Sequence, residues 1–119
     1  MSNNIKDIKK DFIMSFDLSL CKDSDCEVDF SIGYNKWGLL ETVFKTGTIW
    51  FKTIDEKSGR DSIPMIEEAI KELNKLPKSG TTGKDRVYNE TIYNSLIIQL
   101  EYMLSGSQKY KDYVWVISL

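Results

Sequence analysis

Apolar and polar residues alternate without a break in FIMSFDLSL, residues 12–20. Phe12, Met14, Phe16, Leu18 and Leu20 share one face, and Ser15, Asp17 and Ser19 share the other. A period of two marks a strand with one buried face. The same period returns in EVDFSIGY, residues 27–34, with Val28, Phe30, Ile32 and Tyr34 on the apolar side. Both apolar sets reach one side of a sheet only if even positions face even positions. The pattern therefore predicts a hairpin that sets Leu20 opposite Val28 and Leu18 opposite Phe30. The intervening CKDSDC is then the loop, and in this register Cys21 faces Glu27 and not Cys26.

Beyond a turn at Asn35 and Lys36, the segments WGLLETVFK (37–45) and TIWFKTI (48–54) are joined through Thr46 and Gly47. Their β-branched and aromatic content predicts two more strands. Ile63, Ile66, Ala69, Ile70 and Leu73 then recur at helical spacing. Glu67 and Glu68 lie near the start, Lys71 and Lys75 toward the end, and Pro77 acts as a stop. A second helix is predicted from Asp85 to Ser105, with Tyr88, Ile92, Leu96, Leu100 and Met103 on its stripe. Asp85 is its N-cap, with Thr81 or Thr82 as alternatives, and Gly106 its C-terminal cap. YVWVISL, 113–119, is apolar on both faces and suits a buried strand at the centre of a sheet. The order β-β-β-β-α-α-β predicts an α+β fold. It is a mainly antiparallel sheet of about five strands with two helices on one face, as a single domain over 1–119.

Charge and composition narrow the function. A formal net charge of −2 with two arginines, Arg60 and Arg86, is a poor basis for holding nucleic acid. Lys6, Lys9, Lys10 and exposed aromatics are the features such a binder would have to use. With no histidine in the chain, the Ser/His and Cys/His routes to an activated nucleophile are closed, as are His-ligated metal sites. No apolar run is long enough to span a bilayer. MSNNIKDIKKDF carries no apolar signal core, so a cytoplasmic location is expected.

LPKSGTTGKDR, Leu76 to Arg86, resembles a phosphate-binding loop and fails the comparison. Gly80 and Gly83 are too close together, Asp85 stands where a Walker loop needs Ser or Thr, and the segment leaves a helix instead of a strand. It reads as a connector. Cys21 and Cys26 supply too few ligands for a structural zinc, their predicted register implies no disulfide, and in a reducing cytoplasm both are expected as free thiols. No cofactor, metal site or catalytic residue is implied.

The acidic run Asp23, Asp25, Glu27 and Asp29, with Asp17 on the same outer face, is the strongest chemical feature. A calcium loop starting at Asp23 would need Gly where Val28 stands and Glu where Tyr34 stands. A hydrolase using Asp/Glu chemistry without His or metal would need two of these carboxylates in one cleft. The plain reading is a charged edge that discourages aggregation. The functional reading is a landing site for a basic macromolecule, with Tyr34 and Trp37, beside the turn, as aromatic anchors. Trp50 and Trp115 lie in apolar segments and belong to the core.

In KDSDCEVDF, GYNKWG, its length, its acidic balance and its lack of histidine, the chain resembles the bacterial immunity proteins of contact-dependent growth inhibition systems. The resemblance implies a cytoplasmic protein that neutralises a cognate toxin domain, often a nuclease, by covering its active surface. Asp17, Asp23, Asp25, Glu27, Asp29, Tyr34 and Trp37 are the expected contact residues, without cofactor or membrane.

Overall fold

A computed structural model of the chain describes residues 15–45, 47–82 and 86–119. The hairpin required by the alternating pattern is present. Strand β1 (Ser15–Lys22) pairs antiparallel with β2 (Asp25–Gly33), and Leu20 faces Val28 and Leu18 faces Phe30. Phe16, Leu18, Leu20, Val28 and Ile32 are buried, while Ser15, Asp17, Asp29 and Ser31 face solvent. Residues 12–14 of the predicted first strand lie outside the described residues.

Near the turn the expected register fails. It shifts between Leu20 and Cys21, a bulge that leaves Glu27 as the extra residue and sets Cys21 opposite Cys26. The two sulfurs form a disulfide, which corrects the expectation of free thiols. Strict alternation carries no sign of an inserted residue, so the sequence pattern could not show it. The turn itself is tight, with Asp23 at φ 55°, a left-handed conformation that Asp tolerates through its short polar side chain. Because the bridged residues are only 5 apart, Cys26→Ser is expected to cost about 2 kcal/mol of unfolding free energy in a chain-entropy picture. Urea denaturation measures this loss, and faster amide exchange should stay confined to the hairpin.

Strand β5 (Val114–Ser118) lies antiparallel on the other side of β1, giving the order β2-β1-β5. The central strand is thus β1, and the expectation of β5 at the centre is corrected. Trp115 points into the core, but Val114 and Val116 are exposed. The far edge of β5 is closed by the segment 55–59. Glu56 N–H donates to the Trp115 carbonyl at 2.8 Å, Trp115 N–H to the Lys57 carbonyl at 2.9 Å, and Gly59 N–H to the Tyr113 carbonyl at 2.7 Å. Asp55 Oδ1 accepts the Ile117 N–H at 3.0 Å.

Among the described residues the stretch 37–54 holds no strands, which is the largest correction. A 3-10 turn, Tyr34–Lys36, leads into helix α1 (Trp37–Phe44), and a 3-10 segment, Gly47–Thr53, follows. Leu39, Leu40, Val43 and Phe44 are all buried, a spacing that one helical face satisfies and that a strand would split between two faces. Trp50 sits at the centre of an aromatic cluster, with ring centroids at 5.3 Å to Phe16, 5.6 Å to Trp37 and 5.6 Å to Phe44.

Helix α2 (Gly59–Asn74) begins earlier than its apolar spacing predicts, because Ser58 caps it: Ser58 Oγ accepts the Asp61 N–H at 3.1 Å. Strands β3 (Gly80–Thr81) and β4 (Val87–Tyr88) form a minor hairpin. Gly83 and the predicted cap Asp85 lie outside the described residues. Helix α3 (Glu90–Lys109) is capped instead by Asn89, whose side chain accepts the Ile92 N–H at 2.9 Å. Gly106 does not end this helix. It lies inside it, where α3 crosses β2 so closely that an added Cβ would meet Val28 Cγ2 at 2.9 Å. The helices stack α1 on α2 and α2 on α3. Tyr93 of α3 donates to the Leu73 carbonyl at 2.7 Å. The fold is α+β, with five strands in two antiparallel sheets and three α-helices among the described residues.

Candidate functional site

With the core on one side of the β2-β1-β5 sheet, the other side carries the exposed residues Asp17, Asp29, Ser31, Val114 and Val116. Asp17 and Asp29 stand in the middle of this outer face. Ser31 Oγ donates to Asp17, and Ser19 Oγ donates to Asp29 Oδ1 at 3.0 Å. Each serine sits directly across from the carboxylate it serves, since Asp17 pairs with Ser31 and Ser19 with Asp29. These neutral donors orient the carboxylates without cancelling their charge.

Asp23, Asp25 and Glu27 are exposed at the turn end of the same hairpin. Lys22 lies opposite Asp25 in the ladder. The ion pairs formed among the described residues lie elsewhere: Lys45 and Lys75 with Glu72, and Arg60 with Asp112. All five predicted carboxylates are thus solvent-facing, and none is tied to an internal cation among the described residues.

The structure does not bring Tyr34 and Trp37 to this surface. They follow the far end of β2, about 30 Å from the turn at the usual rise per strand residue. There Tyr34 stacks on Trp37 at 5.5 Å and both rings pack edge-on against Phe16. They are partly buried members of the aromatic cluster.

The aromatics beside the carboxylates are Tyr110 and Tyr113, with ring centroids 5.1 Å apart. Burial, and then the negative charges of Glu27 and Asp25, hold the Tyr113 hydroxyl above the usual tyrosine pKa. Replacing Glu27 by Gln and Asp25 by Asn together is expected to lower that pKa, read from the Tyr113 ring shifts in an alkaline NMR titration. Sequence reasoning missed these two rings. The available signal was the pairing of β5 with β1: a strand that sets Val114 opposite Cys21 must carry residue 113 to the hairpin end.

Two depressions lie away from this face. One, of about 320 Å³, is lined by residues that include Val43, Phe44, Lys45, Pro64, Met65 and Glu68. The other is lined by Phe51, Lys52, Asp55, Glu56 and Lys57. Its Asp55 is committed to the β5 backbone. Among the described residues no three Asp, Glu or Cys side chains are grouped to hold a metal ion, and no helix is long and apolar enough to cross a membrane. No family model, curated protein or solved structure matches the chain.

Proposed function

We propose that this chain is a binding protein whose acidic sheet face covers a cationic surface of another protein, acting as an immunity-type neutraliser of a toxin domain. The observation that carries the proposal is the row of exposed carboxylates that form no ion pair among the described residues. A surface of one sign accelerates encounter with a surface of the other and fixes its orientation. Val114 and Val116, exposed on the neighbouring strand, and Tyr110 and Tyr113 at its start supply apolar and aromatic area. Such area gives a complex its lifetime once charge has brought the partners together.

Neutralisation here is steric. The acidic face occupies the groove or patch that the toxin would use on a polyanion, and no bond is made or broken. A cytoplasmic location belongs to the same proposal, and there the reducing environment would hold the Cys21–Cys26 pair as thiols. The test is to mix the purified chain with the product of the adjacent reading frame and measure association by surface resonance at several salt concentrations. A complex that forms fast at low salt and slows as salt rises is expected. No complex, or one whose rate ignores salt, would contradict the proposal.

A further inference from the structure

Among the described residues, only one of the sheet's two borders is paired along its length. The segment 55–59 covers β5, whereas β2 ends the sheet on the other side. Gln99 of α3 donates through Nε2 to the Ser31 carbonyl at 3.2 Å. That carbonyl therefore points away from β1. In an antiparallel ladder the residues of a non-hydrogen-bonded pair direct both backbone groups outward, and residues two apart share the direction. Ser31 and Asp29 thus both present N–H and C=O to the open border. The side-chain bonds from Ser31 to Asp17 and from Ser19 to Asp29 fit the closer side-chain approach of such pairs.

Beside this border α3 forms a wall. Ile98 and Tyr102 are exposed on one helical face, 66% and 48% respectively, and Tyr102 meets Phe30 edge-on at 5.2 Å. The backbone donors and acceptors of this border thus lie beside the apolar side chains of Phe30 and Tyr102, with Ile98 one turn away on the helix.

We propose that an extended cationic segment of the partner adds to β2 as a fourth strand of this sheet. The inference rests on the binding role proposed above and specifies how the partner is held. Charge selects the occupant. A second copy would bring two rows of Asp25, Glu27 and Asp29 together, and like charges across adjacent strands oppose pairing. Alternating side chains of an added strand divide between the two faces. Those facing inward meet Phe30, Ile98 and Tyr102, and those facing outward stand beside Asp29 and Ser31. The segment that fits alternates apolar residues with Lys or Arg. Gln99 holds the place of one strand N–H until the segment arrives.

The probe is acetyl-Lys-Val-Lys-Val-Lys-Val-amide, compared with one version N-methylated at the lysines and another N-methylated at the valines. All three carry the same charge, and only one methylated set blocks the backbone edge that faces β2. One methylated peptide should bind at least roughly tenfold more weakly than the parent, given what lost backbone hydrogen bonds contribute, and the other should bind like the parent. The parent should also slow exchange of the Asp29 amide and bind more tightly to Gln99→Ala, in which the Ser31 carbonyl is free. Equal binding of all three peptides would overturn strand addition while leaving the acidic face as the binding surface. Failure of all three to bind while the intact partner binds would also overturn it. Failure of both peptides and partner would overturn this inference and the proposed function together.

Discussion

Replacing Trp50 by alanine is expected to lower the unfolding free energy by about 3–5 kcal/mol, the range for emptying a large aromatic site in a packed core. Trp50 is fully buried and its ring touches Phe16, Trp37, Phe44 and Phe51. Removing it withdraws the common neighbour that joins β1, α1 and the 3-10 segment. For a domain whose total stability is about 5–15 kcal/mol, this is a large fraction. A fall of roughly 10–20 °C in Tm should accompany it.

A paired comparison separates volume from hydrogen bonding. Trp50 Nε1 is buried with no acceptor among the described residues, whereas Trp115 Nε1 donates to the buried Ser107 Oγ at 2.9 Å. Trp50→Phe removes an orphan donor along with some ring, and Trp115→Phe leaves Ser107 without its donor. The second should cost more than the first by about 1–2 kcal/mol, the penalty of an unsatisfied buried group. Equal costs in urea titrations would mean that the Trp50 N–H has a partner.

The second large effect is kinetic. Reversing Asp25, Glu27 and Asp29 to lysine should slow association with a basic partner by about 10- to 1,000-fold at low salt, the range that electrostatic steering supplies. The fold should tolerate the change, since the three side chains are exposed. They contribute one hydrogen bond among the described residues, from Ser19 to Asp29. Stability should move by no more than about 1.5 kcal/mol, at about 0.5 for each ordinary surface substitution. Raising salt should slow the native chain toward the variant's rate, because a Debye length of about 8 Å at physiological ionic strength already weakens attraction between separated surfaces. Asn and Gln replacements at the three positions should fall between the two. An unchanged rate in the lysine variant would remove this hairpin from the interface.

The sequence is most legible where one periodicity governs an element. Leu18 and Leu20 on β1, with Val28 and Phe30 on β2, announced both the hairpin and its register, because one face had to be buried. The apolar spacing from Ile63 to Leu73 similarly announced α2. Legibility failed between Trp37 and Ile54, where β-branched and aromatic residues suggested strands. Propensity of that kind reflects a fit to half-buried surfaces in general, and packing around Trp50 overrode it. The adjacent pair Leu39-Leu40, both buried, was the helical sign in the sequence. At the candidate site, the carboxylates were legible because Asp17 and Asp29 occupy the polar phase of a strand. Tyr113 was hidden, since its approach to Glu27 and Asp25 depends on β5 choosing β1 as its neighbour, and Tyr110 is present only as its ring neighbour. Tyr34 looked like an anchor because it flanks a turn; in the fold it is partly buried, its ring packed edge-on against Phe16 at the far end of the hairpin.

The most direct test of an open acidic face is an amide-shift titration of the isotope-labelled chain with the basic partner or, in its place, with oligolysine. Shifts are expected only at Asp17, Ser19 and the 23–31 stretch, with smaller ones at Tyr110 and Tyr113, all fading as salt is added. Shifts centred on the depression between α1 and α2, or spread evenly over the exposed carboxylates of α2, would show that the outer face of the hairpin is not where cations are received.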